Sequence, residues 1–203
     1  MKSTSLIEAL REHNETFNHL EALAPAVEQA VSLMITALSG GRKILLCGNG
    51  GSAADSQHIA AELTGRFVGE RRALAAIALS TDTSALTSIG NDYGFEEVFA
   101  RQLAALGAAG DCLVAISTSG NSRNVIRAVE VARDAGVHII GLLGRGGGEL
   151  LALCDVPIVV PSSTTARIQE AHIFIGHVFC GMIEEALGLA RAPAATVERV
   201  TRP

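Results

Sequence analysis

Two helical patterns carry the side chains best suited to chemistry. His58 and Glu62 lie four residues apart in a stretch that reads as helix over 53–66, a spacing that puts both on one helical face. Far along the chain, Gln169, Glu170, His172 and His177 fall in a second helical pattern, about 165–188. Glu170 and His177 are seven apart and share a face; Gln169 and His177 are eight apart, on neighbouring faces. Spacing does not choose between Gln169 and Glu170. Imidazole nitrogens with carboxylate or amide oxygens suit zinc and similar divalent ions, and the same groups move protons. Against this, His–Glu pairs at this spacing are common on solvated helices, and two such helices need not meet.

Two loops suggest an anionic ligand. Gly48-Asn49-Gly50-Gly51-Ser52 follows an apolar run and opens a helix, where free N–H groups and a partial positive charge favour anions. It also matches a dinucleotide-binding pattern, which is weak alone and needs a ribose-binding acid after the second strand; Asp82 comes too late for that role. Ser117-Thr118-Ser119-Gly120-Asn121-Ser122 sets four hydroxyls around one glycine before another helix. A helix cap explains one of them; a phosphate site explains all four. Asn91-Asp92 sits in Ser88-Ile89-Gly90-Asn91-Asp92-Tyr93-Gly94, a turn-rich stretch between two helical patterns. Gly144–Gly148 reads as a flexible turn, and His13, His19 and His138 as histidines without partners.

The elements that must position these groups alternate. Short apolar runs occur at Lys43–Cys47, Leu74–Leu79, Cys112–Ile116, His138–Leu143 and Val156–Val160, and continuous runs of this length fit strands buried on both faces. Helical patterns at 53–66, 83–90 with 95–106, 122–135 and 148–153 separate them. The alternation implies parallel βαβ units in a doubly wound α/β sandwich of three layers. Ligands then sit at the C-terminal strand ends, near the topological switch point. Residues 5–20 and 25–39 read as two added amphipathic helices, with Pro25 in a first turn and Ser39-Gly40-Gly41 as a stop. One domain, 1–190, is expected, with helices over 1–40, the α/β core over 41–190, and a mobile tail over 191–203.

Composition narrows the class. The net charge of −5 and the lack of any Lys/Arg run argue against a nucleic-acid partner. Cys47, Cys112, Cys154 and Cys180 form no CxxC pair and read as buried thiols of a reducing compartment. The polar N-terminal stretch is unlike a signal peptide, and Ile173–Ile183 is too short to span a membrane. A soluble, cytoplasmic protein is expected.

Taken together, CGNGGSAADSQHIAAELTGRF, IGNDYGFEEVF, ISTSGNSRNVI and RIQEAHIFIGHVFCGMIEE resemble the sugar isomerase (SIS) domain family, and more narrowly its phosphoheptose isomerases. The resemblance runs from about residue 5 to 188. It implies a flavodoxin-like five-stranded parallel sheet and an aldose–ketose isomerase. The reaction would convert D-sedoheptulose 7-phosphate to D-glycero-D-manno-heptose 7-phosphate through an enediol-type intermediate, feeding ADP-heptose and lipopolysaccharide core synthesis. The resemblance also implies zinc on His58, Glu62, Gln169 and His177, leaving Glu170 a structural or ion-pairing role. Glu62 would be the base, His177 the acid, and Asp92 an assistant in proton transfer. Substrate contacts would come from Asn49, Gly50, Gly51, Ser52, Glu62, Arg66, Asn91, Asp92, Ser117, Thr118, Ser119, Ser122 and Gln169. The implied assembly is a homotetramer.

The alternative from another class is a noncatalytic SIS-domain adaptor that binds a replication-initiator protein. Such adaptors lose the catalytic carboxylate and histidine, whereas Glu62 and His177 are both present.

Overall fold

A computed structural model describes residues 5–189; residues 191–203, expected to be mobile, lie outside them. Helices α1 (Leu6–Asn18) and α2 (Ala24–Ser39) come first, joined by a 3-10 turn at Leu20–Leu23. Ser5 and Glu8 cap α1 reciprocally, the serine hydroxyl accepting from the Glu8 N–H and the glutamate from the Ser5 N–H. One window of Leu6–Ser39 reaches a mean hydropathy of 1.4, enough in length and composition for a membrane span. The 3-10 turn breaks it, however, and the buried face of α2 packs on the core.

The sheet contains β1 (Ile44–Gly48), β2 (Ala76–Ala78), β3 (Cys112–Ser117), β4 (His138–Leu143) and β5 (Val156–Val159). All pairs are parallel, in the order β2-β1-β3-β4-β5. Helices α3 (Gly51–Thr64), α4 (Thr83–Tyr93), α5 (Ala100–Leu106), α6 (Arg123–Asp134) and α7 (Thr165–Ala186) complete the chain. The expected doubly wound α/β sandwich is present. One face of the sheet is covered by α2, α3 and α7 and the other by residues of α5 and α6. Strand order reverses between β1 and β3, so α3 and α6 leave on opposite faces. After the edge strand β5 the chain crosses back, and α7 comes to lie against α3.

Four details differ from the sequence reading. The run over Leu74–Leu79 is not buried on both faces: β2 is an edge strand and Ile77 is exposed. The segment 148–153 is a 3-10 turn at Glu149–Ala152. Asn91 and Asp92 belong to the last turn of α4, which continues to Tyr93 before Gly94 breaks it. The Gly144–Gly148 turn is tightly packed rather than loose. A Cβ on Gly120 would come within 1.9 Å of the Gly147 carbonyl oxygen, and the Asn121 side chain accepts from the Glu149 N–H.

The N-terminal end of the sheet is closed by charge. Asp111 is buried and accepts from the Lys43 ammonium at 2.7 Å, the Lys43 N–H and the Ala108 N–H. Burial alone would raise its carboxyl, but these bonds hold it below the usual carboxylate range. The glycine and hydroxyl loops lie at the opposite end, after β1 and β3.

Candidate active site

Both ligand loops flank the switch point. After β1, the Asn49 side chain forms a reciprocal amide pair with buried Asn124 of α6, with both bonds at 2.8 Å. This pair ties the glycine loop to the hydroxyl loop. Sequence reasoning misses Asn124, because its partner is far away and an asparagine in a first helical turn looks ordinary. Ser52 is buried at the start of α3. After β3, the Ser117 hydroxyl is 2.9 Å from that of Ser122 and 3.5 Å from that of Ser119. Ser122 precedes α6 but makes no side-chain capping bond, so its hydroxyl stays with the cluster. Thr118 is half-buried beside them. Asp82, weighed as a ribose acid, instead caps α4 by accepting from the Ala85 N–H.

Helices α3 and α7 pack side by side in the same direction. Gly51 lies against Gln169, Ile59 against Gly176, and His58 against His177. Gly176 leaves no room for a side chain: a Cβ there would meet Ile59 Cδ1 at 2.5 Å. The close approach brings His58 Nε2 within 3.0 Å of His177 Nε2 and within 3.4 Å of Glu62 Oε1. One donor atom from each of the three residues lies within 4.8 Å of the other two. Two imidazole nitrogens and a carboxylate oxygen converging in this way fit a divalent cation.

Gln169 lies elsewhere on the same seam. Its amide packs on Gly51, where a Cβ would sit 2.3 Å from Nε2. Among the described residues it makes no hydrogen bond to His58, Glu62 or His177. Glu170 forms an ion pair with Arg167 at 2.7 Å and lies 2.9 Å from His13 Nδ1, within hydrogen-bond distance. It has the ion-pairing role expected, and His13, expected to lack a partner, has one. His172 is buried against the end of β4, its Nε2 3.1 Å from the Leu143 carbonyl. Arg66 does not pair with Glu62; its nearest acid is Glu70 at 3.9 Å. Asn91 and Asp92 are exposed and bond to each other at 2.7 Å.

Sequence reasoning also misses Asp55. It lies three residues before His58 and four after Gly51, on the same stripe of α3. Its Oδ2 is buried without a hydrogen-bond partner among the described residues. Burial raises its pKa to about 6, partly opposed by nearby His58. The folded chain therefore holds an extra proton between roughly pH 4 and 6. Stability contributed at Asp55 is greatest below that window and is lost as pH rises through about 6. Asp55→Asn should raise the metal-free protein's stability above pH 7 by about 1–2 kcal/mol and leave it unchanged below pH 4. Thermal melting at both pH values checks this.

The fold and the paired loops define a SIS domain, and the family model of that description matches residues 10–144. A phosphoheptose isomerase from a Nitratiruptor species is 60% identical over 178 residues, covering 87% of this chain and 95% of that protein. The solved phosphoheptose isomerase from Neisseria gonorrhoeae is 52% identical with a TM-score of 0.80, covering 88% of this chain and 94% of that one. The one from Francisella tularensis is 39% identical with a TM-score of 0.83, covering 90% and 100%. The chain belongs to the phosphoheptose isomerase family and is an isomerase.

Proposed function

We propose that this isomerase interconverts D-sedoheptulose 7-phosphate and D-glycero-D-manno-heptose 7-phosphate at the seam between α3 and α7. The observation that carries the reading is the convergence of His58, Glu62 and His177 on the seam of two helices, one of which starts at the glycine loop beside the clustered hydroxyls. The adaptor reading is not favoured, because the carboxylate and imidazole that it would dispense with are present and face one another.

The Ser117, Thr118, Ser119 and Ser122 hydroxyls and the N–H groups opening α6 would hold the phosphate. Asn49 to Ser52 would line the approach to the sugar. Glu62 turns Oε1 toward His58, which leaves Oε2 to take the C1 proton of the ketose, exchange it with solvent, and deliver a proton at C2. His177 would pass a proton between the two oxygens. His58, Glu62 and His177 would hold the metal, zinc in this proposal, with Gln169 added by the family resemblance once its amide leaves Gly51. A bound ion would supply Lewis acidity toward the substrate oxygens.

The assembly we propose is a homotetramer in the cytoplasm. An apolar groove lined by Phe17, Leu20, Val27, Phe174 and Val178, with Leu6, Ile7 and Leu10 exposed nearby on α1, supports burial against other copies. Asn91, Asp92 and Arg66, which stand off from the three donors in this chain, would then serve a site shared between subunits. The product would enter ADP-heptose and lipopolysaccharide core synthesis.

The test is incubation of purified protein with sedoheptulose 7-phosphate, with and without a chelator and added zinc, followed by NMR. Aldose formation that stops on chelation and returns with zinc is expected. No conversion under any metal condition would overturn the reading. Ser117→Ala with Ser122→Ala should weaken phosphosugar binding by about 10–100-fold, measured by calorimetric titration; unchanged affinity would remove the phosphate from this loop.

A further inference from the structure

We infer that Phe67 is the positioning residue for the His177 imidazole, and that a buried Glu184–Arg71 pair holds Phe67 in place. The inference takes from the isomerase reading what His177 does, and from geometry alone what fixes its ring. A metal-binding or proton-transferring imidazole usually has its second nitrogen tied by a hydrogen bond, which sets ring orientation. Among the described residues, the only hydrogen-bond contact of His177 is through Nε2, to His58. What covers its ring is Phe67, nearly parallel at 24°, with ring centroids 5.5 Å apart. Phe67 also lies over Gly181, one turn along α7, where a Cβ would meet Phe67 Cε1 at 3.6 Å.

Phe67 sits just after α3 in a segment with no helix or strand, so something else must hold it. Glu184 does so. Its buried carboxylate accepts from the N–H groups of Phe67 at 2.9 Å, Val68 at 3.1 Å and Gly69 at 3.4 Å, and from Arg71 Nε at 2.5 Å. Arg71, fully buried, donates in turn to the carbonyls of Glu62 at 2.6 Å, Leu63 at 2.9 Å and Gly65 at 3.2 Å. These carbonyls lie at the end of α3, where helical partners run out; that of Leu63 also accepts from the Leu74 N–H. One ion pair thus anchors the backbone of Glu62 and the segment bearing Phe67 to α7. That helix carries both Glu184 and, two turns earlier, His177.

The experiment uses the full chain with Phe67→Leu, which keeps apolar bulk but loses the flat ring, and Phe67→Tyr, which keeps the ring. Phe67→Leu should lower cobalt(II) affinity, read from the absorption of the bound ion, by about 10-fold or more. Its kcat should fall with its KM for the phosphosugar within about twofold, since the hydroxyl loop is untouched. Phe67→Tyr should restore both. A crystal structure of Phe67→Leu should show the His177 ring rotated away from His58. Unchanged cobalt affinity and kcat in Phe67→Leu, or a His177 ring still facing His58, would overturn the inference. A wild-type protein without turnover would sink the isomerase reading instead, and the ring orientation in Phe67→Leu would still decide this one.

Discussion

Glu62→Gln is expected to lower turnover of sedoheptulose 7-phosphate by about 10²–10⁴-fold, the usual contribution of a positioned base. The substitution keeps the shape of the side chain and an oxygen that can face His58 Nε2, now 3.4 Å from Glu62 Oε1. It removes the group that accepts a carbon-bound proton. Phosphosugar affinity should change little, because the hydroxyls of Ser117 and Ser122 lie on a different loop. The measurement is NMR in deuterated solvent with zinc saturating. Wild type should give aldose carrying deuterium at C2, and the variant almost none. Full turnover in the variant would move the base elsewhere, and Asp55, on the same helical stripe, would be the next to test.

The second large effect is on stability. Glu184→Gln should cost about 3–5 kcal/mol by leaving the Arg71 guanidinium buried without its counter-charge. In a chain of this size that is a fall in melting temperature of about 10 °C. Burial alone would raise the Glu184 carboxyl, but the Phe67 N–H, Arg71 and the N–H groups of Val68 and Gly69 hold it below the usual carboxylate range. The sign follows: this stabilisation is fully present above the unfolded value near 4.5 and is lost as pH falls through the lower folded value. Acid should therefore narrow the gap between wild type and variant. Replacing both partners with apolar residues, Arg71→Met with Glu184→Leu, should not recover the loss, because the N–H groups of Phe67, Val68 and Gly69 and the carbonyls of Glu62 and Leu63 would lose their partners. A Glu184→Gln protein that melts with wild type at neutral pH would show that the pair is dispensable.

The sheet was legible because its strands are short apolar runs, and all but β4 are followed by a recognisable helix. In β2 the position is readable but the burial is not, since an edge strand and a central one carry similar residues. His58 and Glu62 were legible as a pair because one helical turn joins them. Their meeting with His177 was not legible from spacing: it depends on strand order, which returns α7 to the face where α3 lies. Gln169 is a proposed ligand by resemblance alone, and in this chain its amide rests on Gly51. Asp55 could have been found from its place on the stripe. Asn124 and Phe67 could not, because each acts through a partner distant in sequence and belongs to a residue type common in cores and helix starts.

The contact at Gly176 sets a dimension of the site. Ile59 fits directly against the glycine backbone, so the separation of α3 and α7 is fixed at the smallest side chain nature offers. The span between the nitrogens of His58 and His177 is inherited from that separation. The spacing of the two imidazoles is thus a property of helix packing, decided a residue away from the nitrogens themselves. A chain with a bulkier residue at that point would keep both histidines and still set their nitrogens farther apart.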